Sequence, residues 1–232
     1  MIEDILVIIP AYNEEKAIGK ILKELKKYFK NILVIDDGSI DRTKEIVQKE
    51  KVLLISHITN KGKGEALKTG FKYAIEKNFP AVITMDGDGQ HLPEETLKFV
   101  EEYRKKTKIG ILIGKRSIFS QSMPLIRRIT NLSMSFLISI LSFQWIPDTQ
   151  CGFRLIKTDT LKKIKLYTSH FETESEILIK AGCKGIRIKS LPIKTIYRKE
   201  KSKIRPIRDT VRFFKMFFLI FFTSFKKYEK RF

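Results

Sequence analysis

The stretch Ala81-Val82-Ile83-Thr84-Met85-Asp86-Gly87-Asp88-Gly89-Gln90-His91 decides how the rest of the chain is read. Its apolar start predicts a buried strand running to Asp86, so that two aspartates leave a strand end together. In extended backbone, residues i and i+2 project from one face, roughly 6–7 Å apart. Two carboxylates so close repel each other unless a cation lies between them. Hard oxygen ligands on an open strand end suit Mg²⁺ or Mn²⁺, which keep waters and share a substrate's phosphates. Gly87 and Gly89 let another backbone or a ligand approach closely. Acidic turns are common, so this Asp-x-Asp takes its meaning from the strand before it.

Outward from that strand, short apolar runs alternate with helical patterns. Strands are predicted at 5–9, 32–35, 52–55 and 109–113, and helices over 13–29, 41–50, 63–77 and 93–105, the last with Pro93 at its first position. Fully apolar strands alternating with amphipathic helices imply an α/β fold: a mainly parallel, Rossmann-like sheet with helices on both faces. Ligands of such sheets sit at the carboxyl ends of the strands. Tyr12, Asp36, Asp37, Asp86, Asp88 and Arg116 thereby fall along one rim.

Beyond Arg116 the pattern changes. Residues 124–145 read as a helix, too often interrupted by serines and Asn131 for a membrane span. Asp148-Thr149-Gln150-Cys151-Gly152-Phe153-Arg154 reads as a polar turn entering a short strand. A helix over 173–181 and an extended segment over 186–197 follow. Residues 208–232 carry phenylalanine on most faces beside Arg212, Lys215, Lys226, Lys227, Lys230 and Arg231. Their uncharged run is about half the ~20 residues a spanning helix needs. They suggest a helix lying in the headgroup layer; packing on the domain or on a second subunit is the other reading. The division is a domain over 1–205 and an amphipathic helix over 206–232.

At 232 residues the chain is long enough for one large domain. The formal net charge of +20 calls for an anionic partner, although a bias towards lysine contributes to it. Cys151 and Cys183 make neither a metal-ligand spacing nor a disulfide framework. Met1-Ile2-Glu3-Asp4 leads straight into a strand pattern, with no secretory signal.

Three further loops carry polar chemistry. Pro10-Ala11-Tyr12-Asn13-Glu14 joins the first strand to its helix, where Tyr12 can pack on a nucleobase and Asn13 can cap the helix. Asp36-Asp37-Gly38-Ser39 ends the second strand, offering carboxylates to ribose hydroxyls or forming a turn. Asn60-Lys61-Gly62-Lys63-Gly64 precedes a helix and forms an anion site or an ordinary flexible turn. It is not a Walker A loop, and no G-x-G-x-x-G follows the first strand.

In this order, these motifs together with Asp86-Gly87-Asp88-Gly89-Gln90-His91 resemble family 2 glycosyltransferases of the GT-A fold. Asp148 to Arg154, Glu174-Ser175-Glu176 and Ser202-Lys203-Ile204-Arg205-Pro206 look like the polyprenyl-phosphate branch, the dolichyl-phosphate mannose or glucose synthases. The resemblance implies an inverting hexosyltransferase with a nucleotide-sugar donor (GDP-mannose or UDP-glucose type), Mg²⁺ or Mn²⁺, and a polyprenyl-phosphate acceptor at the cytoplasmic membrane surface. It implies that Pro10, Ala11, Tyr12, Glu14, Asp36, Asp37, Gly38, Lys61 and Gly62 hold the nucleotide. Asp86, Gly87 and Asp88 then meet the metal and diphosphate, Asp88 more directly, with Gln90 nearby. Arg116 and Arg128 (or its neighbour Arg127) hold phosphate, and Lys203 closes over the diphosphate. Asp148, Gln150, Glu174 and Glu176 orient sugar or acceptor, and His91 is a structural hydrogen-bonder. A non-lipid acceptor is the alternative within the family. A nucleotidyltransferase and a basic nucleic-acid-binding module are rivals outside it, the latter disfavoured because an acidic rim repels a phosphate backbone.

Overall fold

The computed structural model describes residues 1–105, 107–116, 125–196 and 211–218, with 125–129 described by backbone alone. Seven strands, β1 (Ile5–Ala11), β2 (Ile32–Asp36), β3 (Leu53–Ser56), β4 (Ala81–Thr84), β5 (Ile109–Lys115), β6 (Arg154–Lys157) and β7 (Arg187–Pro192), form one sheet. Their order is β3-β2-β1-β4-β6-β5-β7. The helices are α1 (Ile18–Leu25), α2 (Thr43–Lys49), α3 (Lys63–Glu76), α4 (Thr96–Arg104), α5 (Leu125–Ser142), α6 (Thr158–Lys163) and α7 (Glu172–Cys183). Every residue of β2 and β4 is buried, as expected for strands covered on both faces. Edge strand β3 is half-exposed.

The expected α/β sheet is present, with one departure. Strand β5 does not lie beside β4: β6 is inserted between them, antiparallel to both. All other pairings are parallel. Because β6 runs backwards, its first residue, Arg154, pairs with Thr84 at the carboxyl end of β4. The loop from Asp148 to Phe153 is thereby delivered to the rim where β1, β2 and β4 end.

Several elements differ from expectation. Helix α1 starts at Ile18, not Asn13, because Asn13 takes a left-handed φ of 52° and the next amides bond sideways instead of into a helix. It buries a stripe of Ile18, Ile21, Leu22 and Leu25, each side chain contributing about 1.5–3 kcal/mol on full burial. Strand β4 ends at Thr84, before the aspartates. A helical turn, α6, follows β6.

Helix α5 has an inverted polarity. Ser135, Ser139 and Ser142 face inwards, where the Ser135 hydroxyl accepts from Thr149 N at 3.1 Å and that of Ser139 accepts from Ile146 N at 2.9 Å. Leu132, Phe136, Ile140 and the following Phe143 and Trp145 are exposed, the last two by about 70% (71% and 72%). In the helical segment 211–218, Phe213 and Met216 join the domain's buried cluster while Val211, Phe214 and Phe218 are exposed. The remainder of 206–232 lies outside the described residues.

Candidate active site

The rim is assembled by bonds between loops. Where β1 ends, Ala11 O accepts from Asp37 N at 2.8 Å. Asn13 N donates to the Ser39 hydroxyl, Asn13 Oδ1 accepts from Ile40 N at 2.9 Å, and Glu14 N donates to the Thr43 hydroxyl at 2.7 Å. Asn13 therefore ties the first loop to the second and does not cap α1. Gly38, at φ 74°, presses on the next loop: a Cβ there would stand 2.6 Å from the Thr59 carbonyl carbon. A Cβ on Gly87 would lie 3.4 Å from Glu14 Cγ and 3.5 Å from Pro10 O, so the aspartate turn touches the first loop.

The acidic pair ending β2 has inward duties. Asp36 is buried, with Oδ1 accepting from Ser39 N at 3.1 Å. Asp37, also buried, accepts from Lys61 N at 3.0 Å, Gly62 N at 2.8 Å and His57 Nδ1 at 2.7 Å. This geometry gives Asp37 the work of holding the Lys61–Gly62 loop. Lys61 is exposed on that loop, and Gly62, at φ 100°, opens α3.

The two aspartates after β4 have different protein partners. Asp88 lies in a turn, and its Oδ1 accepts from Gln90 N at 2.9 Å. Asp86 is met by a protein cation: Lys63 Nζ lies 2.6 Å from its Oδ1 and 2.9 Å from Glu174 Oε2. The charge expected between Asp86 and Asp88 is thus supplied to Asp86 by lysine. Burial works against both charges of this pair. Even so, Asp86 and Glu174 raise Lys63 above the ordinary lysine value, and the charges of Lys63 and Arg116 hold Asp86 below the ordinary carboxylate range. Gly152 completes the enclosure, since a Cβ there would stand 2.7 Å from Asp86 Oδ2 and 2.9 Å from Lys63 Nζ.

On the other side, Arg116 forms a fork with Asp148, Nε–Oδ2 2.8 Å and Nη2–Oδ1 2.9 Å. Arg154, fully buried, donates to the carbonyls of Cys151, Thr149 and Glu174 and locks the 148–153 loop to α7. Gln150 is half-buried and donates to the Thr149 hydroxyl. Glu176 belongs elsewhere: it accepts from Tyr167 N, Thr168 N and the Thr168 hydroxyl and pairs with Lys180, so it shapes the 167–168 turn instead of the acceptor side. His91 is buried with Nδ1 unpartnered among the described residues and its ring 5.2 Å from Phe153; burial pushes it down to about 4. It packs as a neutral ring. Cys151 is buried, its thiol pushed up to about 12 by burial, and is inert. Lys203 and the side chains of Arg127 and Arg128 lie outside the described residues.

Lys63, Gly152, Arg154 and His57 emerge only in three dimensions. No group of three or more His, Cys, Asp or Glu side chains is placed to hold a metal among the described residues. The donor set at the rim is oxygen, with half-buried Asp88 beside the first loop. That fits Mg²⁺ or Mn²⁺ held by one carboxylate and completed by a ligand's phosphates.

A mainly parallel sheet with one reversed strand and an acidic turn at its carboxyl rim defines the GT-A class of nucleotide-sugar-dependent enzymes. Residues 6–165 match the family described as glycosyl transferase family 2. The chain is 35% identical over 216 residues to the UDP-N-acetylglucosamine–dolichyl-phosphate N-acetylglucosaminyltransferase of Methanococcus voltae, covering 83% of this chain and 86% of that protein. It is 28% identical over 207 residues to the dolichyl-phosphate hexose transferase of Haloferax volcanii, covering 88% of each. The glucosyl-3-phosphoglycerate synthase of Mycobacterium tuberculosis, solved with Mg²⁺ and UDP, superposes with a TM-score of 0.72 at 17% identity, over 95% of this chain and 78% of that one. The chain belongs to glycosyl transferase family 2 and is a glycosyltransferase of GT-A fold.

Proposed function

We propose that this glycosyltransferase moves a hexose-type sugar from a UDP- or GDP-sugar to a polyprenyl phosphate at a membrane surface, inverting the anomeric carbon. One observation carries the acceptor assignment. The three acids expected on the acceptor side are each paired with a cation: Asp148 with Arg116, Glu174 with Lys63 and Glu176 with Lys180. A hydroxyl acceptor needs a base to take its proton. A phosphate monoester, with its second pKa at about 6, is already mostly a dianion at neutral pH and attacks unaided. Dolichyl phosphate in the names of the relatives from Methanococcus voltae and Haloferax volcanii supports the same acceptor.

In this reading Tyr12 and Glu14 face the nucleotide, on a loop held by Asn13 and Ser39. Asp37 keeps the Lys61–Gly62 backbone in place beneath it. As the C1–O bond breaks, charge gathers on the departing diphosphate, and groups aimed there stabilise the transition state above the ground state. Asp88 would hold a divalent cation, which would supply Lewis-acid stabilisation to that leaving group. Asp148 orients the Arg116 fork, which positions acceptor phosphate for in-line attack. Arg128 and Lys203 are proposed as further phosphate contacts.

No helix among the described residues is long and apolar enough to cross a membrane. The exposed apolar face of α5, with Phe143 and Trp145 at its end, suits the interfacial layer, as does the Phe-rich segment 206–232. Lys184 and Arg187, exposed close to Gln144, add positive charge for anionic headgroups.

The test is transfer of labelled sugar from UDP-glucose, UDP-N-acetylglucosamine or GDP-mannose to a short polyprenyl phosphate with Mn²⁺. Organic-extractable label is expected with at least one donor; its absence with all of them refutes the lipid-acceptor reading. A second reading rests on Glu172, buried with Oε2 unpartnered among the described residues. This carboxylate is the candidate base for a hydroxyl acceptor. Selective loss of sugar-to-hydroxyl transfer in Glu172→Gln favours that reading.

A further inference from the structure

Resting on the donor-site reading above, we propose that Lys63 is a fixed cation which fills the position between Asp86 and Glu174 where a divalent ion could otherwise bind without a nucleotide, making metal binding contingent on the donor's phosphates. Asp86 follows β4 and Glu174 lies on α7, distant in the chain, yet both reach the same lysine nitrogen, at 2.6 and 2.9 Å. Mg²⁺ takes its oxygen ligands at about 2.0–2.1 Å, so the two carboxylates need only modest contraction to hold such an ion in place of the ammonium. With Lys63 present, that position is occupied.

The lysine is not a loosely placed surface group. Its backbone opens α3 directly after Gly62, whose amide is clamped by Asp37. Gly64, next in sequence, fits against the 169–173 segment so closely that a Cβ would stand 1.9 Å from the Thr173 hydroxyl. Gly152 closes the remaining side of the Asp86–Lys63 pair. Lys63 Nζ also lies 6.0 Å from the centre of the Phe171 ring. The ammonium is held by its own backbone, by two carboxylates and by a glycine wall, so it cannot swing aside cheaply for a metal.

Among the described residues, Asp88, whose Oδ1 accepts from Gln90 N, is the carboxylate that the donor-site reading above assigns to the metal. A single carboxylate binds Mg²⁺ or Mn²⁺ poorly, because these ions are bound through carboxylates together with substrate phosphates. The diphosphate therefore has to arrive with the ion or before it. Lys63 is a positioning residue in this scheme: it touches neither sugar nor acceptor and acts through Asp86 and Glu174.

The experiment is a titration of Mn²⁺, followed by electron paramagnetic resonance, on the full chain as wild type, Lys63→Met, Lys63→Arg and the double variant Lys63→Met/Glu174→Gln. Each is measured without nucleotide and with saturating UDP or GDP. Wild type and Lys63→Arg are expected to bind Mn²⁺ at least tenfold more tightly with nucleotide than without. Lys63→Met is expected to gain nucleotide-independent affinity of at least tenfold, and Glu174→Gln to abolish that gain. A lysine that served only to brace the fold would lower the unfolding temperature of Lys63→Met without creating a Mn²⁺ site. That outcome, or tight Mn²⁺ binding by nucleotide-free wild type, overturns the proposal. If Lys63→Met does not fold, Lys63→Gln, neutral but still able to hydrogen-bond, takes its place under the same criteria. Wild type that shows no nucleotide-dependent Mn²⁺ binding removes the donor-site reading as well, whereas nucleotide-dependent binding without a gain in Lys63→Met removes this inference alone.

Discussion

Replacing Asp37 separates a loop-holding role from a ligand-binding one. Its carboxylate accepts three bonds: from His57 Nδ1 at 2.7 Å, Lys61 N at 3.0 Å and Gly62 N at 2.8 Å. Asp37→Asn can keep its oxygen towards His57 and Lys61, but its amide nitrogen then faces the buried Gly62 N–H, donor against donor. A buried donor without a partner costs about 1–3 kcal/mol, and a lost bond to a charged acceptor about 1.5–3 kcal/mol. The expected destabilisation is about 2–4 kcal/mol, and Asp37→Ala, which strips all three bonds, should lose more. Net stabilities of about 5–15 kcal/mol leave Asp37→Asn folded at room temperature. At about 2–4 °C per kcal/mol for a domain of this size, its melting temperature should fall by roughly 5–15 °C. Urea unfolding and UDP or GDP titration on the same samples provide the check. Stability within about 0.5 kcal/mol of wild type together with lost nucleotide binding would falsify the loop-holding assignment and return Asp37 to the ribose.

Four further outcomes are expected. Gly152→Ala forces a Cβ to within 2.7 Å of Asp86 Oδ2 and 2.9 Å of Lys63 Nζ, so overpacking should cost about 1–3 kcal/mol and donor turnover should drop; unchanged turnover removes the enclosure from the mechanism. Asp88→Asn should fold normally but lose metal-dependent transfer, and near-normal activity in that variant rules out the metal assignment. His91 in the fold is pushed down to about 4, whereas the unfolded imidazole takes a proton near 6.5. Its contribution is therefore complete above about pH 6.5 and fades as pH falls towards 4, amounting to roughly 3 kcal/mol, and His91→Phe should flatten that part of the stability–pH curve. Phe136→Glu and Trp145→Ser should each weaken co-sedimentation with anionic liposomes by roughly tenfold, since a buried aromatic contributes about 1.5–3 kcal/mol, while transfer to a short soluble acceptor persists; undiminished sedimentation means another surface makes the contact.

Strand runs such as Ile5–Ile9 and Ala81–Thr84 were legible because uninterrupted apolar residues between helical patterns have one economical home, a sheet covered on both sides. The direction of β6 was not, because Arg154-Leu155-Ile156-Lys157 reads alike in either sense and only its distant partners orient it. Asn13 looked like a helix cap since its side chain suits that role, but Ser39, Thr43 and Asp41 offered the 13–15 amides better partners across the rim. Lys63 sits in a Gly-Lys-Gly loop that resembles an anion grip, and nothing local discloses Glu174, more than a hundred residues away. Glu174 and Glu176 could have been told apart from the sequence: two residues on a helix point to nearly opposite sides, so both could not serve one site. The family motifs brought the right loops to the rim, but whether each polar atom faces ligand or protein depends on packing that spacing does not encode.

The reversed strand has a consequence for how this enzyme can be built and rebuilt. From Met85 to Phe153 the chain leaves β4, runs through α4, β5 and α5, and returns as β6 beside the strand it left, Thr84 against Arg154. The nucleotide half, β1 to β4, holds together by local crossovers that can form early, whereas the seam with β6 must wait for remote chain, a slow kind of closure. Such an excursion behaves as a cassette. The part beyond the aspartate turn can diverge to suit a different acceptor as long as β6 still meets β4, so exchanging residues 125–147 between relatives is the natural way to retarget the enzyme while leaving Asp86, Asp88 and the loops after β1 and β2 in place.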